Sequence, residues 1–312
     1  MINFQKDIPL KNYSNYKIGG PAKLFVEVET TEEAREILKQ VQDDNEKVFI
    51  LGGGTNVLID DEGFDGCIIH NKIEGINIVE DGLEVGSGVM IKDLLAFCIE
   101  NSLSGLEWAG GLPGTIGGAI RGNAGAFKGE IKDNVLEVVS LDLKSLEEKI
   151  RTNSECSFGY RNSIFKSGAG VNEFITHAVL GLTSGNKEEI KEKISQKIEY
   201  RVNRHPMGYP NIGSTFKNIP FDSLSPKLQK EFVQYVKTDP FPVVPTTKLL
   251  ALALLKGKRV GGAMISEKHP NFIVNVDNAT SLDVKALIEI AKQAVWEKYG
   301  INLEEEIIYL SS

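Results

Sequence analysis

Histidine, cysteine and tryptophan are scarce in this 312-residue chain, at four, three and two residues. The histidines are scattered, which argues against zinc, because a zinc site needs clustered Cys and His at short spacing. Cys67, Cys98 and Cys156 are isolated, and none stands in C-x-x-C spacing. Three reduced thiols are expected rather than a disulfide framework. Basic residues do not dominate either. The formal net charge is −8, with 35 Lys and Arg against 43 Asp and Glu, so the broad positive surface that non-specific nucleic-acid binding relies on is missing. A local cluster of Arg, Lys and backbone amides can still hold an anion. No run of about 18 apolar residues occurs, and no membrane-spanning helix is expected. The opening MINFQKDIPLKNYSNY lacks the apolar stretch and small-residue cleavage site of a secretory leader, so a cytoplasmic protein is expected. No internal repeat and no low-complexity segment is found.

What is there is ordinary in bulk: 41% hydrophobic and 25% charged residues, enough apolar material for a core and a lined cleft. The length allows one to three domains. Residues 32–43 carry helical spacing, with Ala34, Ile37, Leu38 and Val41 on one face. Val48 to Leu51 is a short apolar strand that stops at three glycines. Further strand-like runs lie at 67–70, 76–79, 83–86 and 134–142, and a helical one at 91–101. Residues 187–204 predict a charged helix striped by Ile190, Ile194 and Ile198. The last third predicts helices at 224–236, 246–255 and 282–298, and strands at 260–265 and 271–275. This alternation implies an α/β or α+β protein.

The 31 glycines are unevenly spread. One cluster is Leu51-Gly52-Gly53-Gly54-Thr55-Asn56, and a second, GGLPGTIGGAIRGNAG, runs from Gly110 to Gly125. Glycine reaches positive φ and lets another group approach closely. Successive free amides in such turns make anion sites suited to a pyrophosphate, and Thr55 and Asn56 add side-chain donors. In the second cluster Pro113 fixes one φ value between flexible neighbours, and a flat ring can lie against backbone that carries few side chains. Tight turns alone would explain one such cluster less surprisingly than two. Neither is a G-x-G-x-x-G or a G-x-x-x-x-G-K-[ST] fingerprint, so a nucleotide-like ligand is expected outside a Rossmann or P-loop site.

NYSNYKIGGPA (12–22), ILGGGTNVLIDDEGFDG (50–66) and GGLPGTIGGAIRGNAGA (110–126) together resemble the FAD-binding half of the UDP-N-acetylenolpyruvoylglucosamine reductase family. FGYRNSIFK (158–166), GYPNIGSTFKN (208–218), GGAMISEKHPNFIVN (261–275) and GINLEEEI (300–307) continue the likeness in collinear order over nearly the whole chain. The resemblance implies an α+β fold: a two-subdomain FAD-binding module of the vanillyl-alcohol-oxidase (PCMH) type and a C-terminal α+β substrate domain. It places the subdomains at 1–75 and 76–204, the substrate domain at 205–298, and at 299–312 a segment returning to the FAD-binding half. FAD would be non-covalent, with NADPH as hydride source and a UDP-sugar enolpyruvate as substrate. Nucleic acid and membrane are not expected partners, and a monomer is left open. No long insertion follows YRNSIF, which looks like the shorter subtype without a tyrosine-bearing loop. LLALALLKG (249–257) and KNIPF (217–221) depart from the family pattern, within the substrate domain. The cofactor residues implied are Gly52, Gly53, Gly54, Thr55 and Asn56 in the first cluster. In the second they are Pro113, Gly114, Thr115, Gly117, Gly118, Ala119, Asn123, Gly125 and Ala126.

The implied reaction leaves negative charge next to the substrate carboxylate, which must be stabilised and then protonated. Arg161 would hold a carboxylate bidentately, although a surface salt bridge is the commoner fate of an arginine. Ser214 is the expected proton donor, against the plainer reading of a turn serine bonded to its own backbone. Lys217 and backbone amides would support its alkoxide. The triple glutamate 304–306 leaves the carboxylic acid to be chosen; the family pattern selects Glu306, which would hydrogen-bond to the growing enolate if burial keeps it neutral. Arg201, Arg204, Lys217 and Asn218 are candidate diphosphate or sugar contacts and Tyr209 a stacking or hydrogen-bonding group, each weighed against a solvated charge or packing role. His269 is read as structural. Two other functions fit parts of the pattern. One is another flavoprotein of the same superfamily, such as an alcohol or lactone oxidase, though the second cluster has no His or Cys to tether FAD. The other is a non-catalytic UDP-sugar or flavin-binding module.

Overall fold

Thr30 ends an extended segment and accepts a hydrogen bond from Glu33 N–H through its hydroxyl, at 3.1 Å, which starts the helix Thr31–Asp43. Glu32 and Glu33 sit in its first turn, where the helix dipole favours negative charge. Ala34, Ile37, Leu38 and Val41 are all buried, and they share a core with Val26, Val28, Cys67 and Ile69 of the neighbouring strands and with Ile73 just beyond them. The computed structural model describes residues 2–311. Its contacts divide the chain into two units, and the division in the second half falls between Tyr200 and Arg201.

The first unit holds the N-terminal residues through Ile8, then Ala22–Gly53 and Asp65–Tyr200. Its first sheet has the order Gln5–Pro9, Pro21–Val28, Phe64–Asn71, Val48–Leu51, the last two strands running parallel. Its second sheet is antiparallel: Glu148–Thr152, Val135–Asp142, Glu173–Leu180, Gly82–Gly86, Ile76–Val79. Helix Ile91–Glu100 buries Ile91, Leu94, Leu95 and Cys98 in the core beside Leu83 and Val85. The charged helix Lys187–Arg204 adds Ile190 and Ile194 to that core, whereas Ile198 is 43% exposed, so the stripe works for only two of its three members.

The second unit joins Pro9–Pro21, Gly54–Phe64 and the chain from Arg201 onward. Strand Ile308–Leu310 pairs in parallel with Val57–Ile59, Ile308 opposite Val57. Tyr16, Ile18 and Leu58 share one core with Phe216, Phe232, Leu249, Ile273 and the inner face of helix Ser281–Tyr299. The Tyr16 hydroxyl donates to Ile273 O at 2.8 Å. Three expectations need correction here. Residues 260–265 are not one strand but a hairpin, Arg259–Val260 and Ala263–Ile265. Gly261 has φ +50°, and a Cβ on Gly262 would lie 2.0 Å from Asp277 O, so the chain must turn there. The helix expected to 255 stops at Leu252, with Leu254 at φ 59° and exposed. The helix expected over 224–236 is an α-helix over Pro226–Phe232 followed by a 3-10 turn. Among the described residues no helix is long and apolar enough to cross a membrane.

Candidate active site

In the first unit the two glycine segments meet. Strand Val48–Leu51 runs into Gly52, where a Cβ would stand 2.7 Å from Thr115 Oγ1. Thr115, buried, caps the helix Ile116–Gly122 and accepts from Gly118 N–H at 3.4 Å. Just before it, Pro113 is exposed, and Gly114, at φ +105°, gives its carbonyl to Ile91 N–H at 2.9 Å. Ile116, Ala119 and Ile120 face the core. Gly117 fits closely against Ser87, donating to its carbonyl at 2.8 Å, and a Cβ there would stand 3.0 Å from Ser87 Cβ. Gly118 and Gly122, one turn apart on one face, look elsewhere. A Cβ on Gly118 would meet only Thr115 Oγ1 at 3.5 Å, and one on Gly122 would meet nothing within 4 Å. That face of the helix is bare backbone.

The helix ends at Asn123, which takes the left-handed conformation at φ 42° and is fully buried. Its amide donates to Glu130 Oε1 at 3.2 Å and Gly159 O at 2.8 Å, and its carbonyl accepts from Lys132 N–H at 3.3 Å. Both amide hydrogens are thereby used within the protein. Gly125–Ala126 pairs with Gly129–Glu130 in a small hairpin, with Phe127 and Lys128 at φ 53° and 70°. Lys197 Nζ lies 4.9 Å from the Phe127 ring centre.

Arg161 sits in a tight turn closed by Gly159 and Asn162, which exchange backbone hydrogen bonds at 2.9 and 3.2 Å. Its φ of 53° is unusual for a residue with a side chain. Nη2 donates to Gly125 O at 2.7 Å, and the guanidinium lies 5.3 Å from the Tyr160 ring centre. The structure thus brings Arg161 to the second glycine segment, a link made twice, since Asn123 also holds Gly159.

In the second unit Gly54 has φ +61°, and a Cβ there would fall 1.9 Å from Tyr13 O. Glycine is demanded at this position by the NYSNY segment itself. Thr55 is half-buried. Asn56 Nδ2 donates to Glu306 O at 3.1 Å, and Asn56 O accepts from Ile308 N–H at 3.0 Å. Ser214, half-buried, follows Gly213 at φ +87°. The segment after it pairs with the triple glutamate: Glu306 N–H donates to Thr215 O and Lys217 N–H to Glu304 O, both at 2.8 Å, with Phe216 opposite Glu305. The Ser214 and Glu306 segments therefore lie side by side.

The three glutamates differ in their surroundings. Glu304 is ion-paired to Lys217. Glu305 is held by Lys292 and the Tyr309 hydroxyl. Glu306 is half-buried, with its backbone fixed at both ends of the peptide unit. Asn218 Oδ1 accepts from Thr246 N–H at 3.1 Å, at the start of helix Thr246–Leu252. Of the other candidate substrate contacts, Arg201 is buried at 8% exposure, while Arg204 and Tyr209 are exposed. His269 packs against Phe272 at 4.8 Å and His205 at 5.3 Å between ring centres, and its Nδ1 is buried without a hydrogen-bond partner. Burial first, and then neighbouring cations, push both imidazoles down to a pKa of about 4. Asn271 falls inside the 261–275 motif but was not a candidate site residue; its contacts with Phe216, 55 residues away, appear only in the structure.

Comparison with known proteins agrees with this division of labour. Residues 205–310 match the family described as UDP-N-acetylenolpyruvoylglucosamine reductase, C-terminal domain, and residues 22–144 match an FAD binding domain. The reductase of that name from Borreliella burgdorferi is 38% identical over 99% of this chain and 97% of its own length. The one from Caldicellulosiruptor bescii is 36% identical over 99% of this chain and 91% of its own. The crystal structure of UDP-N-acetylenolpyruvylglucosamine reductase from Thermus caldophilus superposes with a TM-score of 0.77 at 29% identity, covering 100% of both chains. Similarity over the full length, through both the flavin-binding and the C-terminal regions, excludes a stand-alone binding module, and this chain belongs to the UDP-N-acetylenolpyruvoylglucosamine reductase family.

Proposed function

We propose that the chain is an FAD-dependent oxidoreductase that reduces UDP-N-acetylglucosamine enolpyruvate to UDP-N-acetylmuramate with NADPH, a step of peptidoglycan precursor synthesis. The observation that carries the reading is the Thr215–Glu306 hydrogen bond, which sets the Ser214 and Glu306 segments together in a chain similar to these reductases from end to end. FAD, when bound, supplies the hydride relay from NADPH to the enolpyruvyl double bond. The residues present suit such a group: at Gly118 and Gly122 an added Cβ would meet at most Thr115 Oγ1 at 3.5 Å, so a flat ring can approach the backbone there. Thr115 and Gly52 fix the neighbouring loop, Asn123 fixes the turn beyond, and neither cluster carries a His or Cys for covalent attachment.

Hydride addition leaves negative charge on the carbon beside the carboxylate. Arg161 holds that carboxylate with its two-pronged guanidinium, whose orientation the Gly125 carbonyl sets. Ser214 gives the proton to the carbanion-like carbon, and Glu306 hydrogen-bonds to the developing enolate. Lys217, Asn218, Arg201, Arg204 and Tyr209 serve the UDP part, Lys217 after exchanging Glu304 for phosphate. The reading takes the enzyme as cytoplasmic, with the UDP-sugar and NADPH as its partners rather than nucleic acid or a membrane. NADPH oxidation by the purified holoenzyme tests it: oxidation beyond the one equivalent that reduces the flavin should be sustained only when the enolpyruvyl UDP-sugar is present, and acid precipitation should release the yellow chromophore. In stopped-flow, Ser214→Ala should leave flavin reduction by NADPH near normal and slow reoxidation by the UDP-sugar at least about a hundredfold. Sustained NADPH oxidation independent of the UDP-sugar would refute the activity; unaffected reoxidation would remove Ser214 as the donor.

A further inference from the structure

We infer that Asn271 is the positioning residue for the Ser214 hydroxyl, holding the segment that carries it from the edge opposite the glutamates. The inference rests on the reading of Ser214 as proton donor. A proton donor must be held within about 0.5 Å of its productive position, and Ser214 lies on irregular chain after a glycine at φ +87° whose Cβ position is open space. Locally, Asn211 Oδ1 accepts from Gly213 N–H at 3.0 Å and steadies the chain before it. The chain after it is held by three hydrogen bonds from one distant residue. Asn271 O accepts from Thr215 N–H at 2.7 Å, Asn271 Oδ1 accepts from Phe216 N–H at 3.1 Å, and Asn271 Nδ2 donates to Phe216 O at 2.8 Å.

The side-chain amide thus pairs with both polar groups of Phe216 as a neighbouring strand would. Asn271 is 3% exposed and Phe216 2%, so water cannot replace these bonds. Among side chains of this length only asparagine offers a donor and an acceptor side by side; aspartate loses the donor, and leucine loses both. The other edge of the segment is taken by the Glu306–Thr215 and Lys217–Glu304 bonds. Asn271 itself stands on a turn closed by two further bonds, Phe272 N–H to His269 O and Ser266 N–H to Phe272 O, each 2.9 Å. The packed His205–His269–Phe272 rings back that turn. Ser214 and Glu306 are therefore fixed to one frame, of which Asn271 is the side that no glutamate supplies.

A double-mutant cycle on the holoenzyme tests this, read as flavin reoxidation by the enolpyruvyl UDP-sugar. Asn271→Ala should slow reoxidation about tenfold or more, leaving flavin reduction by NADPH and the KM for the UDP-sugar within about threefold. In a Ser214→Ala background the same substitution should add less than about twofold, because a residue acting through Ser214 has nothing left to position. Asn271→Asp, which keeps the acceptor for Phe216 N–H, should fall between wild type and Asn271→Ala. It carries the same cycle if the alanine variant loses FAD absorbance or its folded melt. A full, additive loss in the Ser214→Ala background overturns the positioning role while leaving Ser214 as donor. Silence of Ser214→Ala alone overturns the donor reading, and the positioning role with it.

Discussion

Replacing Gly122 by alanine should move two measurements in opposite directions. Gly122 closes helix Ile116–Gly122, is not among the glycines at positive φ, and would find nothing within 4 Å of an added Cβ. Alanine therefore fits the apoprotein without strain. It lowers the entropy of the unfolded chain and favours the helix; in a helix interior that is worth about 1 kcal/mol, and at a terminal turn about 0.5 kcal/mol. For a unit of this size the apoprotein melting point should rise by about 1–2 °C. A flavin lying on the bare Gly118–Gly122 face meets the new methyl directly and must lift away from a backbone that cannot yield. FAD should bind at least about tenfold more weakly, a loss of about 1.4 kcal/mol. Apoprotein melts followed by circular dichroism read the first effect, and quenching of FAD fluorescence on titration reads the second. An apoprotein stabilised as expected, with unchanged FAD affinity, would refute the placement of the flavin against this face.

Arg161→Lys should cost at least about 1.4 kcal/mol of transition-state stabilisation, a tenfold loss in kcat/KM, because lysine cannot hold a carboxylate with two prongs; unchanged kinetics would remove Arg161 from the site. Stability should depend on the two half-buried imidazoles: His205 and His269 are pushed down to a pKa of about 4 against an ordinary 6.5. The unfolded chain takes up their protons first, so stability is fully present above pH 6.5 and is lost as pH falls from there towards 4. Urea unfolding across that window should show a smaller decline for His269→Phe; an equal decline would count against the pair. Burial pushes the Cys67 and Cys98 thiols up to about 12 and Cys156 to about 11, so a thiol-specific disulfide reagent should find no reactive cysteine until the protein unfolds.

Periodicity read the helices that bury one face well, as the four apolar residues of Thr31–Asp43 show. It failed where glycine decided the outcome. Helix Ile116–Gly122 is hidden inside a sequence that looks like turns, and its signals were the Thr115 cap and the spacing of Ile116, Ala119 and Ile120. Two adjacent glycines turned an expected strand at 260–265 into a hairpin. The central strand Glu173–Leu180 was missed, because EFITHAVL mixes burial on both faces with polar residues and shows no clean alternation. At the site, the residue types and their order were legible, but the choice among the three glutamates was not. The family pattern alone points to Glu306; that Lys217 engages Glu304 and Lys292 engages Glu305 could not be read, because these partners lie in distant parts of the chain. The Asn271 bonds were invisible for the same reason: a side chain that imitates a strand leaves no periodic trace.

The parallel pairing of Ile308–Leu310 with Val57–Ile59 carries a consequence for synthesis on the ribosome. The two strands are separated by about 250 residues, which at about 5–20 residues per second take roughly 10–50 s to translate. During that interval Val57–Ile59 is out of the exit tunnel with its partner not yet made. Tyr16 and Leu58 wait equally for the core that Phe232, Leu249 and helix Ser281–Tyr299 provide. The stretches Pro9–Pro21 and Gly54–Phe64 are thus made long before the residues from Arg201 onward with which they form one unit. A chaperone that binds nascent apolar segments would find its longest-lived target there.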